Sequence, residues 1–531
     1  MKHNDFTVKV TLWGIPIGSL VWDSERMCSV FTFSEEYLDS KFDISPTKYP
    51  KEKVYKRAFY GNKAFEGLPE FLADSLPDDW GNTLFDAWTT NNHIPLNNMR
   101  SLMKLSFIGK RGMGALEYVP SIEEGDFDPK IDVDSLYKEA MNVLHDRQNI
   151  QLNTNENITL KKLILLGTSV GGKHAKGLIA INNEGEIRSG QIPLPPDYKY
   201  YILKFKETED VPTSEIELVF QNMAIDSGIK MMPSQLYTVS GTNHFLTQRF
   251  DRQPGGEKIF TQSLRALSPS ANDYMNIFWL CDKLHVPADR KETLFRQMVF
   301  NFLAGVTDDH SKNFSFTMTP DGKWDLSPAY DVMFTQNTWE SPSAASHCLG
   351  MWQKRSHVTL ADFIDFGEDL GIENVRQTVS DISDILTTFK ERCRNIGADG
   401  IWIDRIDAVI QDLQPQKNMS VVTETPTNKT FEETAMETIK ERYTGIQFTG
   451  RLALKNMGRE TGILLHGNSN GKPVSYVLDF EAKEICMCSG LAKKGSFYMK
   501  RWKTLDGKPA TFSNDRVYSL EFKKRKGIGS P

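Results

Sequence analysis

The apolar pattern of this chain changes character partway along, and that change restricts the folds open to it. In the first half the clearest runs read as strands. Phe6-Thr7-Val8-Lys9-Val10-Thr11-Leu12 alternates and turns at Trp13-Gly14 toward Ser19-Leu20-Val21-Trp22. Gly177-Leu178-Ile179-Ala180-Ile181 ends in an Asn-Asn-Glu-Gly turn at 182 to 185, and Tyr200-Tyr201-Ile202-Leu203-Lys204-Phe205 follows. Beyond about residue 272, Tyr274 to Leu284, Lys291 to Gly305, Leu360 to Gly371 and Val375 to Ile396 show three-four spacing instead. A mostly strand lobe followed by a mostly helical lobe is an α+β chain with two lobes.

At 531 residues the chain exceeds the roughly 250 to 300 at which one core usually splits. Pro69 to Asp78 leading into Thr83 to Trp88, and Asp134 to Leu144, read as helices beside the strands. Gln151 to Thr159 is polar and reads as a linker, as does Gln414 to Lys429. From Phe448 onward, short apolar runs broken by Gly-Asn, Gly-Lys and Asp-Gly read as a β-rich module. The expected divisions are 1–120, a β-rich N-terminal part; 121–260, a nucleotide-binding part; 261–415, a helical lobe; 416–440, a linker; and 441–531, the added module.

Net charge is −6, unevenly spread. From Lys440 to Pro531 there are 18 Lys and Arg against 8 Asp and Glu, so a basic tail follows an acidic body. Lys500, Arg501 and Lys503 interleave with Tyr498 and Trp502, and Lys523-Lys524-Arg525-Lys526 follows, which would suit nucleic acid or an acidic partner as well as a solvated face. The six cysteines are scattered without a metal-like spacing, which fits reduced thiols. No apolar stretch is long enough to span a bilayer and the first residues do not form a signal peptide, so the expectation is a cytoplasmic protein with no membrane partner.

Chemistry concentrates in Thr307-Asp308-Asp309-His310-Ser311-Lys312-Asn313 and Pro328-Ala329-Tyr330-Asp331. An Asp and an Asn with four residues between them, then a second Asp, is the spacing by which phosphoryl-transfer sites hold a base and two magnesium ligands. Asp308 would take or orient the acceptor proton, and Asn313 and Asp331 offer the hard oxygens magnesium prefers. Upstream lie the other parts such a site needs. Gly167 to Lys176, with Gly171 and Gly172, would let backbone N–H groups approach phosphate, although alone it also fits a plain hairpin. Lys204 sits in a strand pattern, Glu217 on the helical run Ser214 to Ala224 could face it, and Gln248-Arg249-Phe250 closes a strand that could meet an adenine edge.

With these residues in place, the chain resembles the HipA family of bacterial toxin serine/threonine kinases, from its N-terminal sheet to about residue 400. The likeness rests on Phe71 to Asp78, Gly109 to Leu116, Ser169-Val170-Gly171-Gly172 with Lys176, Arg249-Phe250-Asp251-Arg252, Thr307 to Asn313 and Ser327 to Asp331. It implies a HipA-like, protein-kinase-like bilobal fold that uses ATP and Mg2+. It implies that Asp308 is catalytic, that Asn313 and Asp331 bind metal, and that Gly171, Gly172, Lys176, Lys204 and His310 contact ATP. Gln248 to Phe250 would form the hinge, with Gln248 standing where a glutamate is common in the family. Ser169, or its neighbour Thr168, would be the autophosphorylated residue that silences the enzyme. The partners implied are a separately encoded helix-turn-helix antitoxin, DNA through that antitoxin, and a protein substrate such as an aminoacyl-tRNA synthetase. Two other readings stay open: a catalytically weak scaffold that binds an antitoxin–DNA complex, and a small-molecule phosphotransferase.

Overall fold

Alternation builds the first sheet. In the computed structural model, β1 (Thr7–Leu12) buries Val8, Val10 and Leu12 and leaves Lys9 exposed. It turns at Trp13 and Gly14, both at positive φ (51° and 79°), into β2 (Ile15–Asp23). Two left-handed residues match the twist of a tight hairpin. With β3 (Cys28–Phe33), β4 (Ala58–Tyr60) and β5 (Leu116–Val119) they form an antiparallel sheet in the order β4-β3-β2-β1-β5. The structure describes residues 6–55, 57–94, 99–121, 131–145, 158–168, 171–336, 345–415, 428–442, 446–456, 459–469, 472–480, 484–489 and 503–505. The chain divides into two compact units, Met1–Gly367 with Ile372–Pro415, and Glu368–Gly371 with Gln416–Pro531.

A second antiparallel sheet contains β6 (Lys176–Ile181), β7 (Ile187–Ser189), β8 (Lys199–Lys204), β9 (Ser234–Val239) and β10 (Thr242–Gln248), in the order β7-β6-β8-β10-β9. Leu136 and Ala140 of helix Val133–His145, and Leu163, Ile164 and Leu166 of helix Ile158–Thr168, share one core with Ile179, Leu203 and Leu246 of this sheet. Trp80, Leu84, Phe85 and Trp88 of helix Asp79–Asn91 join that core, so the N-terminal part is packed onto the second sheet. The expected linker Gln151 to Thr159 therefore ends inside a helix, because the apolar run from Leu160 to Leu166 is needed to cover the sheet.

The second lobe is mainly helical. Its helices include Tyr274–Lys283, Ala288–Ala304, Leu360–Asp369, Val375–Leu386 and Phe389–Asn395. Asp273 and Asn276 form a reciprocal capping box at the first of them, a device worth about 1 kcal/mol. The expected single helix Val375 to Ile396 is broken at Thr387 and Thr388, whose hydroxyls donate to the carbonyls of Asp384 and Ile385. A small sheet of β11 (Phe260–Ser263), β12 (Ser315–Met318) and β13 (Trp324–Leu326) is antiparallel in that order. Helix Ala288–Ala304 stops at left-handed Gly305, and the loop from there to β12 carries the Asp/Asn cluster.

The second unit has β14 (Gln447–Asn456), β15 (Arg459–Ser469), β16 (Lys472–Asp479), β17 (Glu484–Ser489) and β18 (Lys503–Thr504), paired in sequence order. Helix Asn428–Arg442, in a stretch expected to be linker, buries Ala435 and Ile439 against Ile463, Leu465, Tyr476 and Leu478. Its alternating strands could not hide that apolar face without a cover. Of the basic tail cluster only Lys503 is among the described residues.

Candidate active site

Three ionisable groups from separate stretches of chain meet at one point. Lys204, the last residue of β8, donates from Nζ to Glu217 Oε1 at 2.5 Å and also to the carboxylate of Asp331. Glu217 reaches it from helix Thr213–Asp226. Burial pulls the lysine's pKa down, but Asp331 and Glu217 outweigh it and hold the ammonium well above its ordinary value. Lys204 in turn holds Asp331 well below the usual carboxylate range, while burial pushes Glu217 up. One ammonium thus serves two carboxyl groups.

Lys176 begins β6 directly opposite Lys204 in the ladder and is buried. Its Nζ donates to the Gly171 carbonyl at 2.7 Å, and burial together with Lys204 lowers its pKa. Gly172 lies at φ +96°, a backbone conformation that favours glycine, and a Cβ there would stand 2.5 Å from the tip of the Lys176 side chain, which would have to shift. The turn's far side is held by Glu207, which accepts from Ala175 N at 2.6 Å and lies 3.1 Å from His174 Nδ1.

Asp308 is exposed, with its backbone N–H donating to Thr335 Oγ1 at 3.0 Å. Asn313 donates from Nδ2 to the Asp308 carbonyl at 2.8 Å, which leaves the amide oxygen as its coordinating atom. His310 Nε2 lies 3.9 Å from Asp308 Oδ1. Asp331 has a left-handed backbone, φ 56°, at a cost on the order of 1 kcal/mol. Its neighbour Tyr330 donates to the Lys312 carbonyl at 2.6 Å and stacks on Phe250, with centroids 5.7 Å apart. The loop of Asp308 and the segment of Asp331 beyond β13 are therefore tied through a tyrosine.

Several expected residues stand apart from this cluster. Gln248 closes β10 with its N–H on Pro233 O, and Arg249 turns its fully buried guanidinium onto Asp251 at 2.8 Å and onto Gly190 O. A hinge role for Arg249 is thus confined to its backbone. The Thr168 hydroxyl is buried at a helix end and donates to Ile164 O, and Ser169 lies outside the described residues. Sequence reading passed over Asp309, which is buried and accepts from Tyr274 OH at 2.6 Å and Cys348 N at 2.8 Å, with His347 Nδ1 at 3.0 Å. Asp78 and Lys312 were also missed as a pair. The Asp-Asp repeat, needing one carboxylate inside and one out, was the available signal for the first.

Among the described residues no group of three His, Cys, Asp or Glu is placed to hold a metal ion. Magnesium needs no such cage, since it usually takes one or two protein oxygens, phosphates and water. An ionised Asp331 and the Asn313 amide oxygen fit that requirement.

A strand lysine, a helix glutamate and a loop Asp/Asn set on a two-lobed α+β frame define a kinase-like class of protein. Residues 8–119 match the family described as HipA N-terminal domain, and residues 168–394 match the HipA-like C-terminal domain. The chain belongs to the HipA-like proteins. It is 23% identical over 402 residues to "Putative kinase Y4dM" of Sinorhizobium fredii, covering 70% of this chain and 88% of that one. It also superposes with a TM-score of 0.54 on a chain of the Shewanella oneidensis MR-1 complex of HipA, HipB and operator DNA. That match has 17% identity and covers 77% of this chain and 96% of that one. The likeness at this identity is one of fold. Among the described residues no helix is long and apolar enough to cross a membrane.

Proposed function

We propose that the chain is an ATP- and magnesium-dependent serine/threonine protein kinase of HipA type, the toxin of a toxin-antitoxin pair. The observation that carries this reading is the meeting of Lys204, Glu217 and Asp331, which joins a phosphate-binding cation to a metal-binding carboxylate. Lys176 and Lys204 would hold phosphates beside the Gly171-Gly172 turn. Asn313 and Asp331 would hold magnesium, whose charge offsets that of the phosphates. Exposed Asp308 would receive the acceptor's proton as its oxygen bonds to the terminal phosphorus and the bond to ADP breaks.

The antitoxin, the DNA reached through it and a substrate involved in translation, such as an aminoacyl-tRNA synthetase, extend the same reading. So does silencing by phosphorylation at Ser169. The naming of Y4dM as a kinase and the HipB partner in the Shewanella complex support it. Purified protein given labelled ATP and magnesium should label itself, and Asp308→Ala should lower that labelling by at least about a hundredfold. Equal labelling of the two proteins would refute the kinase reading. Labelling of a sugar or aminoglycoside but of no protein would point to a small-molecule phosphotransferase.

A further inference from the structure

The Gly-rich turn and the loop of Asp308 come from distant stretches of chain, yet one carboxylate from the N-terminal part touches both. Asp78 Oδ2 accepts from Gly172 N at 2.8 Å, and Asp78 Oδ1 pairs with Lys312 Nζ. Building on the kinase reading, we infer that Asp78 is a positioning residue that latches the nucleotide turn to the catalytic loop.

The contact is built on both sides. A Cβ at Gly171 would stand 3.0 Å from Asp78 Oδ2, so the turn lies directly against the carboxylate. Two residues on, Trp80 N donates to Gly172 O at 3.4 Å and Trp80 Nε1 to Lys176 O at 2.9 Å. The start of helix Asp79–Asn91 therefore grips the turn and the first residue of β6 together. Lys312 is fixed in its own right, because its N–H reaches His310 Nδ1 at 3.2 Å and its carbonyl accepts Tyr330 OH at 2.6 Å. A continuous path runs from Gly172 through Asp78 and Lys312 to Tyr330, the neighbour of Asp331.

A carboxylate on a glycine-turn N–H could also act as a placeholder that phosphate displaces. Its second bond argues against that role. Moving Asp78 away would strip Lys312 and Gly172 of a partner at once, which is costly for a placeholder and useful for a brace. Lys312 also holds the Asp78 carboxyl below its ordinary range despite burial, so the latch stays charged.

The test compares full-length wild type, Asp78→Ala, Lys312→Ala and the double variant, each checked for an unchanged unfolding midpoint. ATP binding with magnesium is measured by calorimetry, and backbone hydrogen exchange is followed over residues 171–176. Each single variant should weaken ATP binding about tenfold, and the double variant no further, because both remove the same link. Exchange over 171–176 should rise in all three. Unchanged or tighter ATP binding in a folded Asp78→Ala protein, or losses that simply add, would overturn the latch. If Asp78→Ala does not fold, Lys312→Ala decides by the same readings. If wild type binds no ATP the kinase reading falls instead, and hydrogen exchange alone decides the latch, with unchanged exchange sinking it.

Discussion

Two charge clusters lie within the first unit, one fully buried and one partly exposed, and they are organised in opposite ways. In Arg249, Asp251 and Arg252 every charged arm has a fixed partner. Asp251 accepts from Arg249 Nε and Nη2 at 2.8 Å, from Arg252 Nη1 at 2.7 Å and from Gly114 N at 2.7 Å. The guanidiniums continue to the carbonyls of Gly190, Gly114 and Gly112. In Lys204, Glu217 and Asp331 one ammonium is divided between two carboxylates, with a second lysine opposite. The first network is closed by backbone carbonyls and amides of Gly112, Gly114 and Gly190; the second has, among the described residues, no main-chain acceptor on its shared ammonium. What separates the two clusters is how many of their bonds end on the main chain and how deeply they lie, since Asp331 is partly exposed where Asp251 is fully buried.

The largest expected effect breaks the closed network. Asp251→Ala would leave two buried guanidiniums without their carboxylate and should cost about 3 to 5 kcal/mol, read from chemical unfolding. Burial opposes ionisation of Asp251, but Arg249 and Arg252 prevail and hold its pKa below the ordinary value. Its contribution is therefore full above about pH 4 and is lost as pH falls further, so the variant should lose part of the wild type's acid sensitivity. Next, Lys204→Met should cut phosphoryl transfer about a hundredfold, roughly 2.7 kcal/mol, while the unfolding midpoint shifts far less than for Asp251→Ala. Equal losses of stability in these two variants would erase the distinction between the clusters. The smallest effect sharpens it: Tyr274→Phe removes its bond to Asp309 and the one it accepts from Asn301 Nδ2, and should cost about 2 kcal/mol of stability, with activity falling only as far as folded protein is lost. A selective loss of turnover would group Asp309's surroundings with the Lys204 cluster.

Strand and helix periods made the two lobes legible, and local patterns placed Lys204, Glu217, Asp308, Asn313 and Asp331 on the elements that carry them. The ion pairs from Lys204 to Glu217 and Asp331 are long-range facts that spacing only suggests. What escaped reading depended on burial. The side chain of Arg249 gave no local sign of its inward turn onto Asp251 two residues away, which leaves its expected hinge role to the backbone. Asp309 was hidden beside Asp308, because nothing local tells which of two adjacent carboxylates turns inward. Asp78 sits 94 positions before Gly172, and only the packing of helix Asp79–Asn91 onto the second sheet brings them together.

Lys176 and Lys204 stand directly across one rung of an antiparallel ladder, so their side chains leave the sheet on the same face. Like charges so placed repel, and the rung holds because each ammonium leans on a different acceptor. A polyphosphate bridging both would remove the repulsion itself. Affinity for such a ligand and cohesion of the β6/β8 pair are then one quantity seen from two directions. On the proposed function, any change that lets those strands slip, even one remote from Lys176 and Lys204, would register first as poorer retention of ATP.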